Sequence, residues 1–217
     1  MMPSSTYRSA TDRLLIGLDQ ALRSISGASR PSRATPRGGA QASGNEMSAA
    51  ERRLSGALMR VNHVGEICAQ ALYHAQALTT RDPQLRAHFE QAAREEADHL
   101  AWTRQRLDEL GDRVSLATPL WYVGAFGIGV SAGLAGDKTS LGFVVETEKQ
   151  VEEHLAGHLD RLPADDLDSR AIVSQMKADE AQHACQAQAA GAAELPAPVK
   201  RAMRLVAKVM TRTAHYI

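Results

Sequence analysis

The phrase Glu-x-x-His occurs twice in the chain, as Glu96-Ala-Asp-His99 and as Glu180-Ala-Gln-His183. Residues three apart share one face of a helix, so each phrase presents a carboxylate and an imidazole to the same point in space. With 8 His and 13 Glu in 217 positions, chance alone gives roughly 0.5 such phrases, so the count by itself decides little. The surroundings add more. Glu96 sits among Phe89, Ala92, Ala93 and Leu100, and Glu180 among Val173, Met176, Ala184 and Ala187, so both carboxylates lie on apolar faces that should point into a core. A buried, unpaired carboxylate is expensive, and a bound cation is one way to satisfy it.

Each phrase is preceded by a further Glu at nearly the same distance, Glu66 before Glu96 and Glu148 before Glu180. In an antiparallel helix pair that spacing brings the lone Glu level with the Glu-x-x-His. Two such pairs supply four carboxylates and two imidazoles, the donor set of di-iron and di-manganese bundles. Mixed oxygen and nitrogen ligation suits iron or manganese better than thiolate-seeking metals. Solvated Glu–His pairs on surface helices are the alternative reading. Glu146 competes with Glu148, but it lies roughly 200° round a helix from it, so both cannot point inward.

Helix signals fit this plan. Ser48 and Glu51 form a capping box for a helix running to about Thr79. Asp82-Pro83 starts a second helix that ends at Gly111. A third is expected from about Ser140 to Asp160, a fourth over roughly 165–190, and a terminal one after Pro196 and Pro198. The plentiful Ala, Leu and Glu and the scarcity of aromatics agree with an all-α fold, a four-helix bundle with one long crossover plus a C-terminal amphipathic helix.

The chain divides into residues 1–46, an N-terminal amphipathic segment (Thr11–Ile25) and flexible linker, and residues 47–217, the bundle domain. The linker is too rich in Pro, Gly and Ser to bury anything. Six Arg against two Asp in 1–45 suit a membrane-surface arm or, in a eukaryote, a transit peptide. No signal peptide is expected. The formal net charge is zero, so nothing points to nucleic acid. Cys68 and Cys185 make no disulfide framework, suit a reducing compartment and read as small buried hydrophobes.

MRVNHVGE (59–66), EEADH (95–99), ETEKQVEEH (146–154) and DEAQH (179–183) together resemble the di-iron demethoxyubiquinone hydroxylases of ubiquinone biosynthesis, in order and spacing, over about 50–217. The resemblance implies a ferritin-like bundle holding two Fe ions on Glu66, Glu96, His99, Glu148, Glu180 and His183, with Glu96 and Glu180 bridging. It makes His154 a candidate beside the ligands or on the substrate side, although the following residue here is Leu155 where family members often carry Tyr. His63 and Tyr73 share the Glu66 face and read as packed or hydrogen-bonded core residues. The implied reaction is O₂-dependent monooxygenation of a polyprenyl benzoquinol, one oxygen atom going to the demethoxyubiquinol ring and the other leaving as water. Electrons would come from NADH, another reductant or the quinol. No GxGxxG follows a strand, so no built-in nicotinamide or flavin domain is visible. The resemblance also admits a homodimer and contacts with other ubiquinone-biosynthesis proteins. Iron storage of ferritin type, a radical-generating di-metal subunit and a purely structural membrane-associated bundle are the rival readings.

Ser115–Gly136 carries no charge over 22 residues, long enough to cross a bilayer. A single crossing would put Glu66, Glu96 and His99 on one side and Glu148, Glu180 and His183 on the other, splitting the site. The stretch is therefore expected to be the crossover, dipping into one leaflet or packed over the bundle mouth, with Trp121 and Tyr122 suited to an interface. After Leu195 no acidic side chain occurs, while Lys200, Arg201, Arg204, Lys208 and Arg212 accompany Val199, Met203, Val206 and Met210. Such a helix suits anionic lipid or closure of the bundle. The expected location is peripheral, on the cytoplasmic face of a bacterial inner membrane or the matrix side of the mitochondrial inner membrane, where the substrate can be drawn from lipid.

Overall fold

The computed structural model describes residues 10–28, 31–39 and 47–217. Among them are seven helices and no strand: α1 (Ala10–Ser26), α2 (Ala49–Thr79), α3 (Pro83–Leu110), α4 (Thr118–Leu134), α5 (Asp137–Arg161), α6 (Leu167–Ala189) and α7 (Ala197–Tyr216). The expected boundary signals act as local chemistry requires. The Ser48–Glu51 capping box opens α2, Asp82 accepts from the backbone N–H groups of Gln84 and Leu85 at the start of α3, and Gly111 ends α3 in the left-handed region at φ 70°. The third bundle helix starts earlier than Ser140, directly after Gly136, whose φ of 112° makes the corner. The fourth starts slightly later than expected, because Asp166 caps it by accepting from Ser169 N–H.

Helices α2, α3, α5 and α6 form the bundle, α2 antiparallel to α3 and α5 antiparallel to α6. Two apolar layers fill it. Leu58, Met59, Trp102, Leu107, Leu155 and Met176 are prominent in one, and Tyr73, Leu85, Phe89, Leu141, Val144 and Ala187 in the other. On every one of the four helices the predicted ligands fall between these layers. The polar centre is thus enclosed by two greasy plugs that exclude water.

The uncharged crossover is a helix, and it lies lengthwise along α2 rather than over the bundle mouth. Tyr122 and Ala125 of α4 pack with Ile67 and Leu72 of α2. Farther on, a Cβ added at Gly129 would stand 2.8 Å from the Ala75 Cβ and 2.9 Å from the Leu72 carbonyl oxygen, so small residues permit this close approach. The opposite face of the crossover is bare, with Leu116 74%, Leu120 68% and Val123 67% exposed. No helix of the described residues is long and apolar enough to cross a membrane.

Helix α7 uses two apolar stripes. Met210 and Ala214 pack near Val61 and Val64, whereas Val199 and Val206, expected on the same stripe, are exposed together with Leu205 and Val209. Part of the stretch expected to be a flexible linker, residues 31–39, is held to α3 and α6 by side-chain bonds despite its composition. The remainder of that stretch, 29–30 and 40–46, lies outside the described residues. α1 also joins the bundle, where its buried Ser24 donates to Gln70 at 2.7 Å.

Candidate metal centre

All six predicted ligands are buried and converge. Ligand atoms of Glu66, Glu96, His99 and Glu180 lie within 4.8 Å of one another, and so do those of Glu96, Glu148, Glu180 and His183. Glu96 and Glu180 belong to both groups. His99 Nδ1 is 3.4 Å from Glu66, 3.3 Å from Glu96 and 3.3 Å from Glu180, while His183 Nδ1 is 3.1 Å from Glu96 and 3.3 Å from Glu180. Glu146 turns the other way, toward Arg204 at 3.2 Å and Lys200 at 3.8 Å, which leaves the inward position to Glu148.

The far nitrogen of each imidazole is tied down across the bundle. His99 Nε2 donates to Asp179 at 2.9 Å, and His183 Nε2 donates to Glu95 at 2.8 Å. Asp179 immediately precedes Glu180 and Glu95 immediately precedes Glu96, so the two halves brace each other reciprocally. Both rings consequently turn Nδ1 inward, the arrangement that a metal-binding histidine needs. Glu148 accepts from the Tyr73 hydroxyl at 2.5 Å.

The electrostatics are those of a crowded anionic pocket. Burial raises Glu66 and Glu148 well above the usual carboxylate range, and neighbouring carboxylates add to the rise. Burial also acts to raise Glu96 and Glu180, but the adjacent imidazoles hold both below their usual value. Burial would lower the two histidines, yet the surrounding carboxylates raise His99 well above its ordinary value and His183 to about 12. Burial and mutual repulsion thus draw protons toward Glu66, Glu148 and both imidazoles, and four positive charges would balance the four carboxylates. Two divalent cations carry the same charge. Both Glu96 oxygens, Glu66 Oε2 and His99 Nδ1 are buried without a hydrogen-bond partner. Orphaned donors of this kind, all hard oxygen or imidazole nitrogen, fit a pair of iron or manganese ions.

Other expected residues lie apart from the centre. His154 belongs to neither group; its ring packs 3.9 Å from that of His158. His63 is a core residue, hydrogen-bonded to Thr103 at 3.1 Å. Cys68 is half-buried with its thiol raised to about 12 by burial, but Cys185 is exposed, because the turn that carries it off the His183 face carries it to solvent. Sequence reasoning passed over Glu95 and Asp179. The signal was present: an acidic residue directly precedes the Glu of both Glu-x-x-His phrases.

Residues 53–214 match the family profile described as ubiquinone biosynthesis protein COQ7. A protein of Polaromonas sp. named 3-demethoxyubiquinol 3-hydroxylase is 63% identical over 208 residues, covering 96% of this chain and 99% of its own. A protein of the same name from Variovorax paradoxus is 63% identical over 209 residues, with the same coverage. Another so named, from Burkholderia pseudomallei, is 59% identical over 206 residues, 95% of this chain and 99% of its own.

Proposed function

The chain belongs to the ubiquinone biosynthesis protein COQ7 family, and we propose that it is an O₂-dependent 3-demethoxyubiquinol 3-hydroxylase, the activity for which its relatives are named. In this reading Glu66, Glu96, His99, Glu148, Glu180 and His183 would hold two iron ions, Glu96 and Glu180 being the residues common to both groups of ligand atoms. The observation that carries it is the pair of overlapping ligand groups sharing those two glutamates, buried between two apolar layers.

Bound there, the iron pair would supply the activation of O₂ and the redox change that ring hydroxylation needs. One oxygen atom enters the ring C–H bond and the other leaves as water, with two electrons from NADH, another reductant or the quinol and two protons from that reductant and solvent. The protein supplies position and dryness. Asp179 and Glu95 keep the Nε2 protons of His99 and His183, so each ring offers the lone pair of Nδ1. Tyr73 fixes the rotamer of Glu148. An open, mostly apolar groove of about 480 Å³ runs between α4, α5 and the start of α7, lined by Gly127, Ile128, Phe143 and Val199 among others. Phe143 also lines a small cavity against Tyr73 and Glu148. We assign the groove to the polyprenyl tail and the Phe143 side to the ring. His154 is given no part in holding the metal.

The exposed Leu120 and Val123 of α4 and Leu205, Val206 and Val209 of α7, beside Arg201, Lys208 and Arg212, support a peripheral seat on the cytoplasmic face of a bacterial inner membrane. Ile128 and Val199, which line the groove, are themselves partly exposed, so in this reading a lipid-borne quinol would enter there. The test is incubation of iron-loaded protein with short-chain 3-demethoxyubiquinol and ¹⁸O₂, with a reductant supplied. Mass spectrometry should find one ¹⁸O in the product ring. An unlabelled ring, with iron bound and O₂ present, would refute the reading.

A further inference from the structure

We propose that Arg33, carried on the segment 31–39 ahead of the bundle, is a positioning residue that braces the His99 half of the metal centre and not the His183 half. The inference rests on the metal reading above. The segment lies outside the 53–214 that match the family profile.

The guanidinium makes a fork between two aspartates on different helices. Arg33 Nε pairs with Asp98 of α3 at 2.8 Å, and Nη1 pairs with Asp179 of α6 at 2.9 Å. Nη2 stands 3.4 Å from His99 Nε2, and the guanidinium carbon lies 4.7 Å from the centre of the Trp102 ring. Planar, two-directional recognition of carboxylates with stacking on an aromatic face is specific to arginine; a lysine ammonium cannot reproduce it.

Each aspartate gives this fork a consequence. Asp98 directly precedes His99 and is only 1% exposed. Among the described residues its hydrogen bonds come from Ser32 and Arg33: the Ser32 backbone N–H at 2.5 Å, the Ser32 hydroxyl at 3.0 and 3.1 Å, the Arg33 backbone N–H at 3.3 Å and the Arg33 side chain. Without this segment a carboxylate beside a metal ligand would be exposed to water or left unpaired. Asp179 Oδ2 accepts from both Arg33 Nη1 and His99 Nε2. Arg33 therefore sets the oxygen that sets the ring, and the ring sets where Nδ1 points.

The segment is anchored beyond Arg33. Thr35 donates to Gln105 at 2.7 Å, Arg37 pairs with Glu109 at 2.6 Å and with Asp168 at 3.1 Å, and the Gly38 N–H donates to Asp168 at 3.0 Å. It staples together α3 and α6, the two helices that carry Glu-x-x-His. The matching device on the other half differs. Glu95, which holds His183, is 35% exposed, and among the described residues its other hydrogen bond comes from Gln91 on its own helix. The two halves of a pseudo-symmetric centre are thus supported unequally.

The probe is cobalt(II) loaded into the full-length protein, read by its d–d absorbance and by release of each ion to excess chelator. In the wild type two ions should bind. Arg33→Ala should speed release of one ion by up to about 10-fold, below the 10- to 100-fold loss usual for a direct hydrogen-bond partner of a ligand because Arg33 acts through Asp179, while the second keeps its wild-type rate. Millimolar guanidinium added to Arg33→Ala should restore the slow phase, since Arg33 is 40% exposed and its vacated place is reachable. Arg33→Lys, which keeps the charge and loses the fork, should remain fast; it serves as the primary variant if the alanine form does not fold. Arg37→Ala, remote from the ligands, should produce a smaller change confined to the same ion. Release of both ions at wild-type rates, or of both equally fast, overturns the inference while leaving the metal reading intact. A wild-type protein that takes up no metal overturns the metal reading and this inference with it.

Discussion

At the residue scale the centre is a set of side chains whose surroundings decide their protonation. His183 depends on Glu95 for its tautomer, across a contact of 2.8 Å. Glu95→Gln keeps the shape and removes the charge. It should weaken metal affinity about 10- to 100-fold, measured by chelator competition, while leaving the fold of the metal-free protein unchanged. His63 shows the opposite use of burial. Burial, with Arg104 nearby, lowers its pKa to about 3, and its ring bonds Thr103. A histidine with a depressed folded pKa stays neutral in the fold and takes up a proton once unfolded. Its contribution is therefore intact above about pH 6.5 and is lost as pH falls from there toward 3, at about 1.4 kcal/mol per pH unit. His63→Gln should flatten the acid limb of the urea-unfolding profile of the metal-free protein by that slope; an unchanged limb would contradict the assignment.

At the element scale, α4 and α7 carry the features that distinguish this molecule from a bare bundle. Close approach of α4 to α2 requires a small residue at Gly129. Gly129→Leu should cost about 1–3 kcal/mol by overpacking, measured by denaturant unfolding, and should splay the groove that α4 walls. The basic face of α7 should bind anionic vesicles, and replacing Arg201, Lys208 and Arg212 by Glu should reduce partitioning on the order of 100-fold at low salt, read by co-sedimentation. Equal binding of the variant would remove the basis for the membrane seat. The helices themselves were legible because caps and breakers are local: Ser48 with Glu51, Asp82-Pro83 and Gly111 each act within one turn. The convergence of the six candidate ligands was legible because helical periodicity relates residues on one face. What escaped was non-local. The chain's own signals could not say that α4 would lie along α2, that Val206 would face outward while Met210 faced in, or that Arg33 would reach Asp98 and Asp179, more than sixty residues along the chain.

At the scale of the whole molecule, two apolar layers bracket one polar centre, and the crossover lets two similar helix pairs face each other around it. Glu66, Glu148, His99 and His183 all hold protons more tightly than usual, so metals must displace protons to enter. Filling the site should release protons, and affinity should fall as pH falls; calorimetry in buffers of different ionisation enthalpy detects the release. The central claim is that the two Glu-x-x-His phrases are halves of one site joined by shared glutamates. The most direct measurement is metal content per chain after iron loading, for the wild type and for Glu96→Ala. Because Glu96 belongs to both ligand groups, the account predicts about two iron ions in the wild type and loss of both in the variant. A single ion in the wild type, or two ions retained by Glu96→Ala, would contradict it.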